Sequence, residues 1–214
     1  VAEEIYESLL MLQHRGQDAA GMVVCEPSGK LNSRKSKGYV RDVFQQNHMN
    51  NLQGNLGIGH VRYPTAGGIG REFAQPMYVN TPYGISLAHN GNLTNSKKLA
   101  AELFHAERRH INTDSDSEVL LNIFALELSK QEAVFPKPKD FFSAVEKTHL
   151  RINGAYAVVA LITGYGILAF RDPLGIRPLS IGIRKGKNRN EYVVSSETAL
   201  FSSTGFKFLR DCLL

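Results

Sequence analysis

Cysteine is scarce in this chain: the 214 residues hold two, Cys25 and Cys212. Two thiols build neither a disulfide framework nor a four-thiolate cluster, which points to a reducing compartment, the cytoplasm. Long apolar runs are also lacking. The longest, Gly154 to Phe170, is interrupted at Thr163-Gly164 and Gly166, whereas a membrane helix takes about 20 continuous apolar residues. It reads instead as a hairpin, Ala155–Ile162 and Tyr165–Phe170 around a Thr-Gly turn, with both strands apolar on both faces and hence covered on both sides. No charged-then-apolar leader opens the sequence. No histidine pair has zinc-ligand spacing, and Gly67-Gly68-Ile69-Gly70 lacks the lysine of a phosphate-binding loop. Neither a metal nor a cofactor is therefore expected in this chain. The basic residues, net charge +5, gather in Arg34–Lys37 and Arg184–Arg189 without interleaved aromatics. These runs read as solvated loops, so neither a nucleic acid nor a membrane is expected as a partner.

What is present suits a soluble globular protein, with 43% hydrophobic and 21% charged residues. No composition shift or repeat marks a boundary, so residues 1–214 read as one domain. An amphipathic helix over residues 2–13 carries Ile5, Leu9 and Leu12 on one face. Strands are expected at Ala19–Cys25, Asn55–Val61, Met77–Val79, Gly84–Ala88, Leu179–Ile183 and Tyr192–Ser195. Helices are expected near 95–105, 115–129 and 140–150, with a short one near Val40–Gln46 in an otherwise mixed polar stretch, 30–54. Strands cluster at both ends and helices lie between. Strands buried on two faces need a second sheet on one side and helices on the other. The fold class is thus α+β, a four-layer αββα sandwich.

Three polar features sit at element ends. Arg62 closes a buried strand and opens a Gly-rich segment suited to a lid; its guanidinium suits a ligand carboxylate, or braces the loop. Asp116 lies in a first helical turn, where a carboxylate favours the helix dipole. Ser115 and Glu118 already fit the capping-box pattern, which leaves Asp116 for a ligand ammonium. The Asn90-Gly91 pair follows an apolar strand. It reads either as a turn or as two converging N–H donors for an oxyanion. An arginine for a carboxylate and an aspartate for an ammonium describe recognition of an α-amino acid, and with an oxyanion cradle awaiting a carbonyl at its far end, glutamine fits the arrangement. No nucleophile is evident: Cys25 reads as an inert buried thiol, Cys212 lies in the tail, and His60 and His89 flank the site without a partner fixed by spacing.

The stretches Leu12–Gly21, Gly59–Gly67, Leu87–Asn95, Ile111–Glu118 and Phe170–Leu179 together resemble the glutaminase domain of the amidophosphoribosyltransferases, class II glutamine amidotransferases. The resemblance implies an N-terminal nucleophile hydrolase fold. It implies that Arg62 and Asp116 hold the glutamine backbone, that Thr65 and its loop close over it, that Asn90 and Gly91 form the oxyanion hole, and that Arg15 supports the geometry. It also implies a first-residue cysteine whose own α-amino group serves as base. This sequence begins at Val1, and the family pattern places that cysteine about ten residues upstream, one strand's length. The first strand is accordingly expected to be missing from this chain, which by itself would be inactive. The phosphoribosyltransferase domain is likewise expected to be absent, and with it the phosphoribosyl pyrophosphate site and its Mg2+. A homo-oligomer is expected for the full-length protein. Two alternatives remain, a catalytically dead glutamine-binding or interaction fragment and the glutaminase domain of another class II amidotransferase.

Overall fold

The strand β1 (Ala19–Cys25) is AAGMVVC, apolar on both faces and buried throughout. Such a strand can exist only between two covering layers. It pairs antiparallel with β2 (Leu31–Lys37) and β3 (Leu56–Arg62), giving the order β2-β1-β3. The two-residue period then sorts its side chains. Ala20, Met22 and Val24 pack with Leu9, Val40 and Val43 of helices α1 (Ala2–Met11) and α2 (Val40–Val43). Val23 and Cys25 face the other way and meet Ile58 and Leu161. The computed structural model describes residues 1–63, 70–131, 133–187 and 189–212.

Leu161 belongs to a second antiparallel sheet, β4 (Met77–Val79), β5 (Ile85–Leu93), β6 (Gly154–Ile162) and β7 (Gly166–Arg171), in that order. Its outer face carries Ile85, Leu87, Tyr156, Val158 and Ala160 into the largest core, shared with α4 (Ser96–His105), α5 (Asp116–Ser129) and α6 (Pro138–Arg151). Helix α5 is buried at every position from Val119 to Leu128. A helix apolar all round belongs in the interior, and α5 lies between the sheet and its two helical neighbours. The result is helix, sheet, sheet, helix, the α+β sandwich expected. A third sheet, β10 (Lys207–Asp211), β8 (Ser180–Lys185) and β9 (Asn190–Ser195), and the short α7 (Ala199–Ser203) complete the described chain, with α3 (Gln46–Met49) before β3.

Several local expectations need correction. Residues 31–37 form a strand within the stretch read as mixed, because β1 supplies its hydrogen-bond partners along seven register pairs. β10 and α7 were not anticipated; β10 is exposed at every position and carries no apolar period. Helix α1 stops at Met11, and a separate 3-10 turn spans Gln13–Arg15. Strand β7 lies at a sheet edge and Ile167 is 43% exposed, so only β6 of the hairpin is covered on both faces. Strand β5 does not stop at Ala88. Asn90 and Gly91 lie inside it, opposite Ala157 and Tyr156 of β6, so the dipeptide is not a turn. The lid expected after Arg62, with Thr65, lies at residues 64–69, outside those described. No helix among the described residues is long and apolar enough to cross a membrane.

Candidate active site

Between the two main sheets a cavity of about 450 Å³ opens, and Arg15, Arg62, Asn90, Gly91 and Asp116 all line it. Residues 101 positions apart in the chain thus converge on one space, while Thr65 lies outside the described residues. Asn90 faces the cavity because the strand period turns even-numbered residues of β5 towards the inter-sheet layer. His89 turns to the helical side, onto Ser117 of α5. No hydrogen bond within the described residues engages the Asn90 carboxamide. Gly91 is required by space: a Cβ there would sit 2.1 Å from the Ala155 carbonyl oxygen. β5 and β6 therefore approach this closely only with a glycine at position 91, and Asn90 keeps its place beside the cavity.

Arg62 is at the end of β3 and only 5% exposed. Its Nη1 donates to Asp18 Oδ2 at 2.5 Å, its guanidinium carbon sits 5.3 Å from the centre of the Phe73 ring, and the Asp18 N–H donates to the Arg62 carbonyl at 3.0 Å. The guanidinium is thereby oriented by a carboxylate of its own chain as well as lining the cavity. Arg15 is oriented in the same way, donating to Glu197 Oε1 at 2.7 Å, with His14 3.1 Å from the same oxygen. The Arg15 hydrogen bond, with those from His14, holds the Glu197 carboxyl below its ordinary range, against the opposing effect of burial.

Asp116 is not wholly free for a ligand, as the capping pattern had suggested. Its Oδ2 accepts the Leu93 N–H at 2.9 Å, tying the end of β5 to the start of α5, and its Oδ1 lies 3.9 Å from His89 Nδ1. The cap itself also departs from the box. Ser115 accepts the Ser117 N–H, whereas Glu118 reaches back to the N–H groups of Asn112 and Thr113. Glu118 thus organises the preceding loop, and α5 enters the site with Asp116 at its first position.

Behind these residues lies a buried polar network that the sequence did not expose. Gln75 accepts the His89 N–H at 2.7 Å through Oε1 and donates from Nε2 to Ser117 Oγ at 3.0 Å and to the His89 carbonyl at 3.3 Å. His89 Nδ1 lies 3.0 Å from the same Ser117 hydroxyl. Burial holds His89 below the usual imidazole range; Asp116 opposes this and Arg177 adds to it. His60 is pushed down to about 3, by burial first and then by the nearby His89 and Arg62. Both rings are neutral at physiological pH, and both keep one nitrogen without a partner in the described protein. Cys25 packs in the inter-sheet core, where burial raises its thiol, in keeping with an inert role.

The segment after β7 holds the remaining wall. Asp172, 1% exposed, accepts N–H groups from Leu174, Ile176, Arg177 and Tyr156 at 3.1–3.3 Å. One carboxylate thus shapes the whole turn and delivers Arg177 to the cavity. An Asp before Pro-Leu-Gly was the available signal for such a turn. The cavity also runs between β3 and β9, reaching Gly59 and His60 on one side and Val194 and Ser195 on the other. Each of these strands is the last of its sheet among the described residues.

A family model described as a glutamine amidotransferase domain matches residues 70–203. The chain is 55% identical over 212 residues to the amidophosphoribosyltransferase of Escherichia coli, covering 99% of this chain and 42% of that protein. It is 47% identical to the amidophosphoribosyltransferase of Saccharomyces cerevisiae, with the same coverage. Among solved structures, it superposes on a glutamine phosphoribosylpyrophosphate amidotransferase of Bacillus subtilis complexed with ADP and GMP, with TM-score 0.80 and 33% identity over 98% of this chain and 42% of that one. A second structure, titled as the allosteric regulatory enzyme of purine biosynthesis, gives TM-score 0.82 and 35% identity over 99% of this chain and 42% of that one. The chain spans about 42% of the length of these relatives. Sequence motifs, four-layer fold and family match agree: the chain belongs to the glutamine amidotransferase domain family.

Proposed function

We propose that the cavity binds glutamine, and that within the whole protein this chain splits its side-chain amide to glutamate and ammonia. The observation that carries this is the convergence of Arg62, Asp116 and Asn90-Gly91 on one cavity. Arg62, already oriented by Asp18, takes the α-carboxylate, and Asp116 offers Oδ1 to the α-ammonium, since Oδ2 is committed to Leu93. Asn90 and Gly91 donate to the oxyanion that forms when the amide carbonyl is attacked. Arg15 holds the wall.

The nucleophile in this reading is a cysteine on a strand preceding Val1. Such a strand would find room between the edges of β3 and β9, each the last of its sheet among the described residues. The thiol, its proton taken by the chain's own α-amino group, attacks the amide carbon. Ammonia leaves with that proton, and water then hydrolyses the thioester to glutamate. Identity to amidophosphoribosyltransferases along nearly the whole chain supports the next step. Ammonia displaces the pyrophosphate group of phosphoribosyl pyrophosphate, which leaves as pyrophosphate, and forms phosphoribosylamine, which opens purine synthesis. Mg2+ and the phosphoribosyl pyrophosphate site belong to the rest of a homo-oligomeric cytoplasmic protein.

Intact-mass analysis of the native protein treated with the glutamine-like electrophile diazo-oxo-norleucine tests this. One covalent adduct on an N-terminal cysteine, blocked by glutamine, supports it. Absence of any adduct, with glutamine still bound, would leave a binding fragment without catalysis.

A further inference from the structure

The geometry points to a second ligand site, for a small molecule bearing a carboxylate or phosphate oxyanion, at the other end of the inter-sheet layer. A cavity of about 580 Å³ opens there between β1 and β2 of one sheet and β4 and β5 of the other. Its walls carry Lys35, Ser33, Ser86, Thr163 and Tyr78. None of these residues lines the cavity that contains Asn90.

Two observations mark it as built for an anion. The first is a pair of hydroxyls with no partner. Ser86 is 1% exposed, and its Oγ makes no hydrogen bond in the described protein; Thr163 is only half-buried, but its Oγ1 is shielded from solvent and likewise unpaired. Leaving a buried hydroxyl unsatisfied costs free energy, so such groups are ordinarily paired. An oxyanion between them would accept from both. The second is the ammonium of Lys35. It forms no ion pair among the described residues and donates to the Pro76 carbonyl at 3.1 Å and, weakly, to the Met77 sulfur at 4.0 Å. Burial holds it below the ordinary lysine range, with Glu118 opposing and Arg71 adding. One desolvated cation lining the same cavity as two unsatisfied hydroxyls matches an oxyanion better than a cation or a neutral sugar.

Space is kept for it by Gly84, in the left-handed region at φ 66°. A Cβ there would come within 3.2 Å of Thr163 Oγ1 and 3.3 Å of the Tyr78 hydroxyl. The wall is shared with the active-site network, because Pro76 lines this cavity and the preceding Gln75 holds His89 in the other.

Calorimetric titration of the intact native protein with inorganic phosphate and, separately, with acetate, at constant ionic strength balanced by chloride, tests the site. Binding of either anion is expected, and which of the two binds more tightly identifies the ligand's head group. Lys35→Met should weaken it about tenfold or more, as loss of a charged hydrogen-bond partner does. Ser86→Ala should weaken it less while leaving thermal stability unchanged or raised, since it removes an unsatisfied hydroxyl. No heat with either anion, or affinities in both variants equal to the parent's, would overturn the proposal. Failure of glutamine binding in the first cavity would not touch it.

Discussion

Arg62 and Asp18 form an ion pair 2.5 Å long between side chains that are 6% and 10% exposed, at the point where β1 begins and β3 ends. The pair joins the chain segment before β1 to the last residue of β3, so the cation that faces the candidate substrate is set by backbone as well as by charge. Removing one partner of a buried pair leaves a desolvated charge behind. Asp18→Ala should therefore cost about 3 kcal/mol of unfolding free energy, read by urea titration, and should raise KM for glutamine in the native protein. Loss of stability with unchanged KM would mean that Arg62 serves the fold alone.

Asn90 and Asp116 should separate kinetically. Asn90→Ala removes a donor whose worth appears only in the transition state, so glutaminase kcat should fall about a hundredfold or more with little change in KM. Asp116→Ala should act mainly on KM. It should also cost about 1–3 kcal/mol of stability because the buried Leu93 N–H loses its acceptor. Equal effects on kcat and KM in both variants would undo the assignment.

Gly91→Ala places a methyl group where the Ala155 carbonyl already stands, at 2.1 Å. β5 and β6 must then separate locally, at about 1–3 kcal/mol. Asn90 moves with them, so activity should be lost well before the fold is. Crystallography of the variant should show the β5–β6 register disturbed between Gly91 and Tyr156.

His60 predicts a pH dependence with a definite sign. Its folded value, about 3, lies below the ordinary 6.5, so at intermediate pH the unfolded chain binds the proton that the folded chain refuses. Stability should be unaffected above pH 6.5 and should fall as pH drops from 6.5 towards 3, by about 1.4 kcal/mol per pH unit for this one group. A His60→Gln variant should lose that share of the slope in urea titrations across the window. Asp172 behaves oppositely in origin. Burial alone would raise its carboxyl, but the N–H groups of Ile176, Arg177, Tyr156 and Leu174 hold it below 3.8. Its stabilisation is therefore full above pH 3.8 and lost as pH falls through the lower folded value. Asp172→Asn should remove that acid-limb loss and loosen the turn that carries Arg177.

The sequence by itself determined the elements whose side chains repeat with a clear period or run apolar without break. β1, β6 and the first half of β5 were legible because burial on two faces leaves few places for a polar residue, and α5 was legible from its apolar side chains and the Ser115 cap before it. From them follow two sheets, their covering helices and the α+β sandwich. The motifs around Arg62, Asn90 and Asp116 were legible as well, since each places a polar group at or near the end of such an element. Tertiary structure alone decided the rest. β2 is a strand because β1 offers it seven partners, not because LNSRKSK prefers to be one. Asn90-Gly91 is strand and not turn because β6 continues alongside it. Asp116 divides its oxygens between backbone and cavity only once β5 meets α5. Gln75, Ser117 and Asp172 owe their roles to neighbours far away in sequence. Period and composition report what a residue must avoid, which is water or clash; which partner it finds is settled by the chain elements that packing brings to it.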